Sequence, residues 1–237
     1  MDGIKVVNVS KVYTVEKEPV KVLNGINLNI SANKITVILG RSGCGKTTLL
    51  RLVAGLENFE QGEILGTDVM RKAYVFQEDR LMPWLSVKKN ITFGLKKEEI
   101  DEKRIQEIIE MVGLGAFENA YPSQLSGGMK QRASIARAFA YKPDFIMMDE
   151  PFSALDFFTR EQMQKELLKI HNKTKCSILF VTHSIDEALI LGDKIVILEK
   201  GLVKSEYEIE RTTENRDLLD DQFLQLKKQI IDDLKVI

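Results

Sequence analysis

The 237-residue chain sets 34 Lys and Arg against 35 Asp and Glu, for a formal net charge of −1, with 44% hydrophobic residues. That balance excludes a chain held to nucleic acid or to an anionic membrane by its overall charge, and the length accommodates one α/β core with a modest insertion but not two full α/β domains. The longest apolar runs, such as Ile35 to Leu39 and Phe145 to Met148, fall far below the roughly 18 residues that cross a bilayer, no signal-peptide pattern opens the sequence, and the two cysteines, Cys44 and Cys176, offer no disulfide framework.

The expectation is therefore a soluble chain of a reducing, cytoplasmic compartment. Residues 4 to 40 carry strand patterns: Val6 to Val9, then Ile26 to Ile30 with alternating apolar positions, then Ile35 to Leu39, separated by the turn signals Asn24-Gly25 and Ser31-Ala32-Asn33. The third run opens onto Gly40-Arg41-Ser42-Gly43-Cys44-Gly45-Lys46-Thr47-Thr48, the glycine spacing of a phosphate-gripping loop, with a helix expected from Lys46 to about Ala54. Gly40, Gly43 and Gly45 add little bulk, so successive backbone N–H groups can point at β- and γ-phosphate oxygens. Lys46 adds a full positive charge, the helix aims its positive end at the same oxygens, the Thr47 hydroxyl can ligate Mg²⁺, and Thr48 reaches the α-phosphate side. The chain is expected to handle a nucleoside triphosphate.

Two short strand-like segments follow, Glu63 to Leu65 and Ala73 to Phe76, the second ending at Gln77, which is either an ordinary polar loop residue or an amide that reaches a metal or an attacking water. From about 86 to 140 the pattern turns helical, with expected helices at Val87 to Leu95, Glu98 to Val112 and Met129 to Ala140, broken by Gly113, Gly115 and Pro122. This is read as a helical subdomain inserted in a single domain. Within it Leu125-Ser126-Gly127-Gly128-Met129-Lys130-Gln131-Arg132 is either a plain helix start capped by Ser126 or a second anion-binding helix end.

From Asp144 onward strand and helix alternate: Phe145 to Met148, a helix from Phe157 to Asn172, Ser177 to Thr182, a helix from Ile185, and Lys194 to Glu199. That alternation predicts a parallel sheet covered by helices on both faces. The strand at Phe145 ends in Asp149-Glu150, where Asp149 can hold the Mg²⁺ shell and Glu150 can orient and deprotonate a water attacking the γ-phosphate. Open α/β sheets bind ligands at the carboxyl ends of their strands, the edge where the glycine-rich loop, the acidic pair and His183 all fall, so His183 has a γ-phosphate within its expected range. His171 has no such context and is expected to be a solvated helix residue. A weak strand after Gly201 leads to a helical tail at about 214–237, where Leu219, Phe223, Leu226, Ile230 and Leu234 form a stripe docked on the chain's own domain or on another subunit.

Taken together and in this order, the phosphate loop, Gln77, Leu125 to Arg132, Met148-Asp149-Glu150-Pro151-Phe152-Ser153-Ala154-Leu155-Asp156 and His183 resemble the ATPase subunit of an ATP-binding cassette (ABC) transporter, over residues 3 to about 205. The resemblance implies a RecA-like P-loop NTPase core with a parallel sheet, an N-terminal antiparallel β subdomain and the inserted α-helical subdomain. It implies ATP and Mg²⁺, and two ATP molecules sandwiched between two copies head to tail, with Ser126, Gly127 and Gly128 acting on the other copy's nucleotide and Asp156 crossing the interface. It makes Tyr13, which alone reads as core filler, the aromatic that stacks on adenine. Membrane permease subunits, and indirectly a solute-binding protein, are the implied partners at the cytoplasmic face of the membrane, with no nucleic acid. Met129 replaces the glutamine frequent at its position, and together with Asp79 to Val87 it resembles importer ATPases for nitrate, sulfonate, taurine and related solutes. In that reading Leu81, Met82, Pro83 and Trp84 present an apolar cluster to a partner, the alternative being a buried Trp84. A soluble ABC-type ATPase acting on ribosomes or DNA fits less well, there being no long coiled coil or basic stripe. A GTPase or small-molecule kinase leaves the Leu125-Ser-Gly-Gly segment without a role.

Overall fold

The structure, a computed structural model, describes residues 3–68, 70–210 and 216–235. In chain order its strands are Ile4–Val15 (β1), Glu18–Ile30 (β2), Ile35–Leu39 (β3), Gln61–Leu65 (β4), Lys72–Val75 (β5), Phe145–Asp149 (β6), Ser177–Thr182 (β7), Lys194–Glu199 (β8) and Leu202–Glu208 (β9). Its helices are Lys46–Ala54 (α1), Val87–Ile91 (α2), Glu102–Met111 (α3), Gly127–Ala140 (α4), Phe157–Thr174 (α5), Ile185–Leu191 (α6) and Asp221–Lys235 (α7). They divide into two units, Met1–Met70 with Lys175–Ile237, and Arg71–Thr174.

In the first unit β1 pairs antiparallel with β2 and with β4. The hairpin turns at Glu16 and Lys17, both at positive φ (51° and 73°). The turn expected at Asn24-Gly25 is instead a bulge inside β2: Gly25 has φ 66° and its amide donates to Ser10 Oγ at 2.9 Å, where the β1–β2 register shifts. Asn-Gly suits any tight positive-φ site, so the dipeptide marks the bulge as well as it would mark a turn. In a second sheet β3 lies between β7 and β8, parallel to both, and β9 closes antiparallel on β8. Every residue of β3 and β7 is buried, as strands covered on both faces require.

The tail helix α7 docks within this unit. Ile230 is completely buried, Lys227 bridges to Asp186 on α6 at 2.5 Å, and the Asp233 carboxylate accepts hydrogen bonds from Ser205 and, at 2.7 Å, from Tyr207. Burying the Ile230 side chain contributes about 1.5–3 kcal/mol to that docking. Leu219 precedes the helix and is exposed, so the stripe is shorter than its spacing predicts. Residues 214, 215, 236 and 237 of the expected tail lie outside the described residues.

In the second unit β5 and β6 run parallel, and α2 and α3 pack on α4. The segment expected as one helix from Glu98 breaks at Ile100, and α3 restarts after Asp101, whose carboxylate accepts the Arg104 amide hydrogen at 3.1 Å. An aspartate with a free helix N-terminus to cap favours that break. α2 likewise ends at Ile91, short of Leu95. Along α5, Met163, Gln164, Leu167 and His171 form the buried face, so His171 is 3% exposed and not solvated as expected. Its spacing from Met163 and Leu167 put it on that face. Among the described residues no helix is long and apolar enough to cross a membrane.

Candidate active site

In the first unit β3 ends at Leu39, and the chain curls from Gly40. A Cβ on Gly40 would lie 2.4 Å from the Leu198 carbonyl oxygen and 2.7 Å from Cys44 Sγ, and Gly43 and Gly45 adopt φ 81° and 105°. These are the positions at which a larger residue would clash or strain, and they shape the loop. Lys46 is 6% exposed, and its ammonium donates to the Gly40 and Arg41 carbonyl oxygens at 2.9 and 3.1 Å, so it lies inside the curl. Arg41, Ser42 and Gly43 are exposed at its rim, while Thr47 and Thr48 are half-buried on the first turn of α1. Gly45 caps α1 without a side chain and no acidic residue occupies the first turn, which leaves the positive end of the helix for an anion. Cys44 is buried, and burial pushes its thiol above the ordinary range, which keeps it protonated and unreactive.

Tyr13 stands half-buried beside this loop. Its hydroxyl donates to the Glu57 carboxylate, which also receives Arg51 Nη1 at 3.2 Å, and the Lys11 ammonium sits 5.0 Å from the ring centre. Burial and the Glu57 contact raise its pKa, so the ring remains a neutral phenol. His183 is exposed directly after β7. Its turn is fixed from both sides: Thr182 Oγ1 donates to the Glu187 carboxylate at 2.5 Å and accepts from the Ser184 amide at 3.0 Å, and Ser184 Oγ caps α6 by accepting the Glu187 amide hydrogen at 3.3 Å.

In the second unit β6 carries Asp149 at its end, 4% exposed and accepting from the Tyr74 hydroxyl at 3.3 Å. Glu150 follows at φ 44°, a conformation that costs a non-glycine residue on the order of 1 kcal/mol or more and is typical of functional sites. The next turn fastens it, since Ser153 donates to the Glu150 carbonyl oxygen from both amide and hydroxyl, at 3.2 and 2.9 Å. Gln77 is exposed just past β5. Ser126 caps α4 by accepting the Met129 amide hydrogen at 3.3 Å. A Cβ on Gly128 would meet Leu155 Cδ2 at 3.3 Å, so the start of α4 adjoins the Ala154–Asp156 loop. A Cβ on Gly127 would meet nothing within 4 Å. Asp156 is exposed, and its hydrogen bonds from Thr159 hold its carboxyl below the ordinary range. Trp84 is 70% exposed, and Phe93, Phe117 and Tyr121 are exposed in the same unit, which excludes a buried Trp84.

Sequence reasoning did not single out Glu57, Glu187 or Tyr74. The Ser184-x-x-Glu187 spacing is that of a capping box and marks the turn after His183; nothing in the local pattern marks Glu57 or Tyr74 as partners of Tyr13 and Asp149.

The family model described as ABC transporter matches residues 23–153. An uncharacterized ABC transporter ATP-binding protein of Methanocaldococcus jannaschii, MJ0412, is 45% identical over 98% of this chain and 91% of its own length. An aliphatic sulfonates import ATP-binding protein, SsuB, of Bacillus thuringiensis is 39% identical over 96% of this chain and 94% of its own, and a bicarbonate transport ATP-binding protein, CmpD, of Synechocystis is 41% identical over 82% and 73%. Among solved structures, a dimeric post-hydrolysis state of the ATP-binding cassette MJ0796 bound to ADP and Pi superimposes with a TM-score of 0.79 at 32% identity, covering 87% of this chain and 99% of that one. With the loop around Lys46, the strand-end acids and the capped Ser126-Gly-Gly helix all present, the chain belongs to the ABC transporter family, as an ATP-binding cassette and an ATPase.

Proposed function

We propose that this chain is the ATP-hydrolysing subunit of an importer for a small solute of the sulfonate, taurine, nitrate or bicarbonate kind, working with a second copy of itself at the cytoplasmic face of the membrane. Permease subunits carry the solute across, and a solute-binding protein acts only through them. The observation that carries the reading is Gly127. It occupies the first turn of α4 with open space where a side chain would be, so nothing among the described residues requires glycine there. Glycine costs up to about 1 kcal/mol against alanine in a helix interior, and less than that at the first turn. A group approaching from outside, such as the triphosphate held by another copy, gives a reason for keeping it.

In this mechanism the N–H groups of residues 40–48 and the Lys46 ammonium hold the β- and γ-phosphates, and Tyr13 offers its neutral ring to the adenine. The Thr47 hydroxyl and the buried Asp149 carboxylate are hard oxygen donors that would hold Mg²⁺, which would supply charge neutralisation to the triphosphate. Glu150 takes the proton of the attacking water, Gln77 orients that water, and His183 donates to the γ-phosphate. Ser126, Gly127 and Gly128 of each copy close on the other's nucleotide and Asp156 links the two sites, so ATP draws the copies together and phosphate release separates them. The exposed Pro83 and Trp84 supply a surface for the permease, to which the buried Leu81 does not contribute. The SsuB and CmpD relatives support the importer reading by their names, and the MJ0796 dimer supports the pairing.

Lys46→Ala tests the engine. Removing the cation abolishes turnover, with kcat down by at least about 100-fold, as for loss of a preorganised transition-state contact. Steady-state phosphate release checks it, and near-normal activity would refute the assignment.

A further inference from the structure

The segment from Phe76 to Ser86 has almost no regular secondary structure, yet side chains of two helices hold its backbone at seven atoms. From α4, Gln131 Nε2 donates to the Phe76 carbonyl oxygen at 3.1 Å, and the Arg137 guanidinium donates to two carbonyl oxygens, Asp79 at 3.1 Å and Arg80 at 3.0 Å. From α2, the fully buried Asn90 accepts the Met82 amide hydrogen at 2.7 Å and donates to the carbonyl oxygens of Met82, Leu85 and Ser86 at 3.1, 2.9 and 3.2 Å. Between these clamps Arg80 sits at φ 45°, with its guanidinium 3.7 Å from the Phe76 ring centre. A non-glycine residue persists in that region only where the surroundings over-determine it. Gln77 and Trp84 are both exposed, one on each side of Arg80, as are Glu78, Arg80 and Pro83.

We propose that Arg137 is a positioning residue: by gripping two successive carbonyls it joins the Gln77–Trp84 segment to α4, so that Gln77, Trp84 and the Ser126 end of the helix move as one body. The inference rests on the proposed role of Gln77. α4 spans 14 residues, about 21 Å at 1.5 Å per residue. One end carries Ser126, the other carries Arg137, and a helix of that length transmits a displacement with little bending. A change at Gln77 that comes with the γ-phosphate therefore reaches both the surface around Trp84 and the Ser126-Gly127 end. Arg137 touches no reacting group and acts on hydrolysis only through the geometry it imposes on Gln77.

Trp84 is the single tryptophan of the chain, so its fluorescence reports this segment without labelling. The experiment compares the intact wild type with Arg137→Met and Arg137→Lys in magnesium-ATP, measuring nucleotide affinity, kcat and Trp84 emission. The wild type shifts its emission on ATP binding. Arg137→Met keeps the affinity within about threefold but loses about 10- to 100-fold in kcat, as for a small misplacement of a reacting group, together with the emission shift. Arg137→Lys, which retains a donor, falls between the two. A wild type whose Trp84 does not respond to ATP overturns the proposal, as does Arg137→Met with wild-type kcat and emission. Should Arg137→Met fail to fold, Arg137→Lys indistinguishable from wild type overturns it equally. A wild type that neither binds nor hydrolyses ATP would instead refute the functional reading beneath it.

Discussion

A Cβ at Gly40 would press on the Leu198 carbonyl oxygen at 2.4 Å, whereas one at Gly127 would meet nothing within 4 Å. The two glycines therefore answer differently to the same substitution. Gly40→Ala should lower stability by about 1–3 kcal/mol through overpacking and damage nucleotide binding with it. Gly127→Ala should leave stability unchanged or raise it by up to about 1 kcal/mol, since alanine is the better helix former, while abolishing ATP-dependent pairing of the Glu150→Gln chain. Thermal melts and light scattering separate the two effects. A Gly127→Ala chain that still pairs normally would remove the argument for an approaching ligand. The same logic applies to Glu150, which holds φ 44° where glycine would be more comfortable. The carboxylate is kept at that point in spite of the backbone strain.

α7 is held to its unit by Asp233, whose carboxyl is kept below the ordinary range first by Ser205 and then by Tyr207. A carboxylate with a lower pKa in the folded than in the unfolded state stabilises the fold fully above the unfolded value, about 3.9, and loses that contribution as pH falls through the folded value. Wild type should accordingly melt higher than Asp233→Asn at neutral pH, and the gap should narrow progressively below about pH 4. A gap that persists undiminished to lower pH would mean that the ionisation of Asp233 contributes nothing to it. The tail also illustrates what pattern alone can establish. The positions of β3, α1, β7 and β8 follow from apolar runs bounded by glycine, serine or aspartate, and the structure has them where the sequence predicts. The Glu16-Lys17 hairpin was not legible, because neither residue favours positive φ and the turn is fixed by the pairing of β1 with β2. The burial of His171 was legible from its spacing, but histidine's polarity argued against it.

For the molecule as a whole, the linear motifs carried most of the chemistry. Lys46, Thr47, Asp149, Glu150 and Ser126 each stand in a short stretch whose spacing fixes what the backbone does around them, so their identities could be read in one dimension. The long-range contacts that hold other residues in place could not: Glu57 lies 44 positions from Tyr13, and Arg137 lies 58 from Asp79. Such contacts are set by packing, and no local pattern encodes them. Pairing of two copies is the claim on which the roles of Ser126, Gly127 and Asp156 depend. It is tested most directly by the light-scattering mass of Glu150→Gln with and without magnesium-ATP, with Ser126→Arg added as control. The account predicts that ATP doubles the 27.0 kDa mass of the chain and that the added arginine abolishes the doubling. A Glu150→Gln chain that binds ATP and remains at the mass of one copy, or one that doubles regardless of Ser126→Arg, would contradict it.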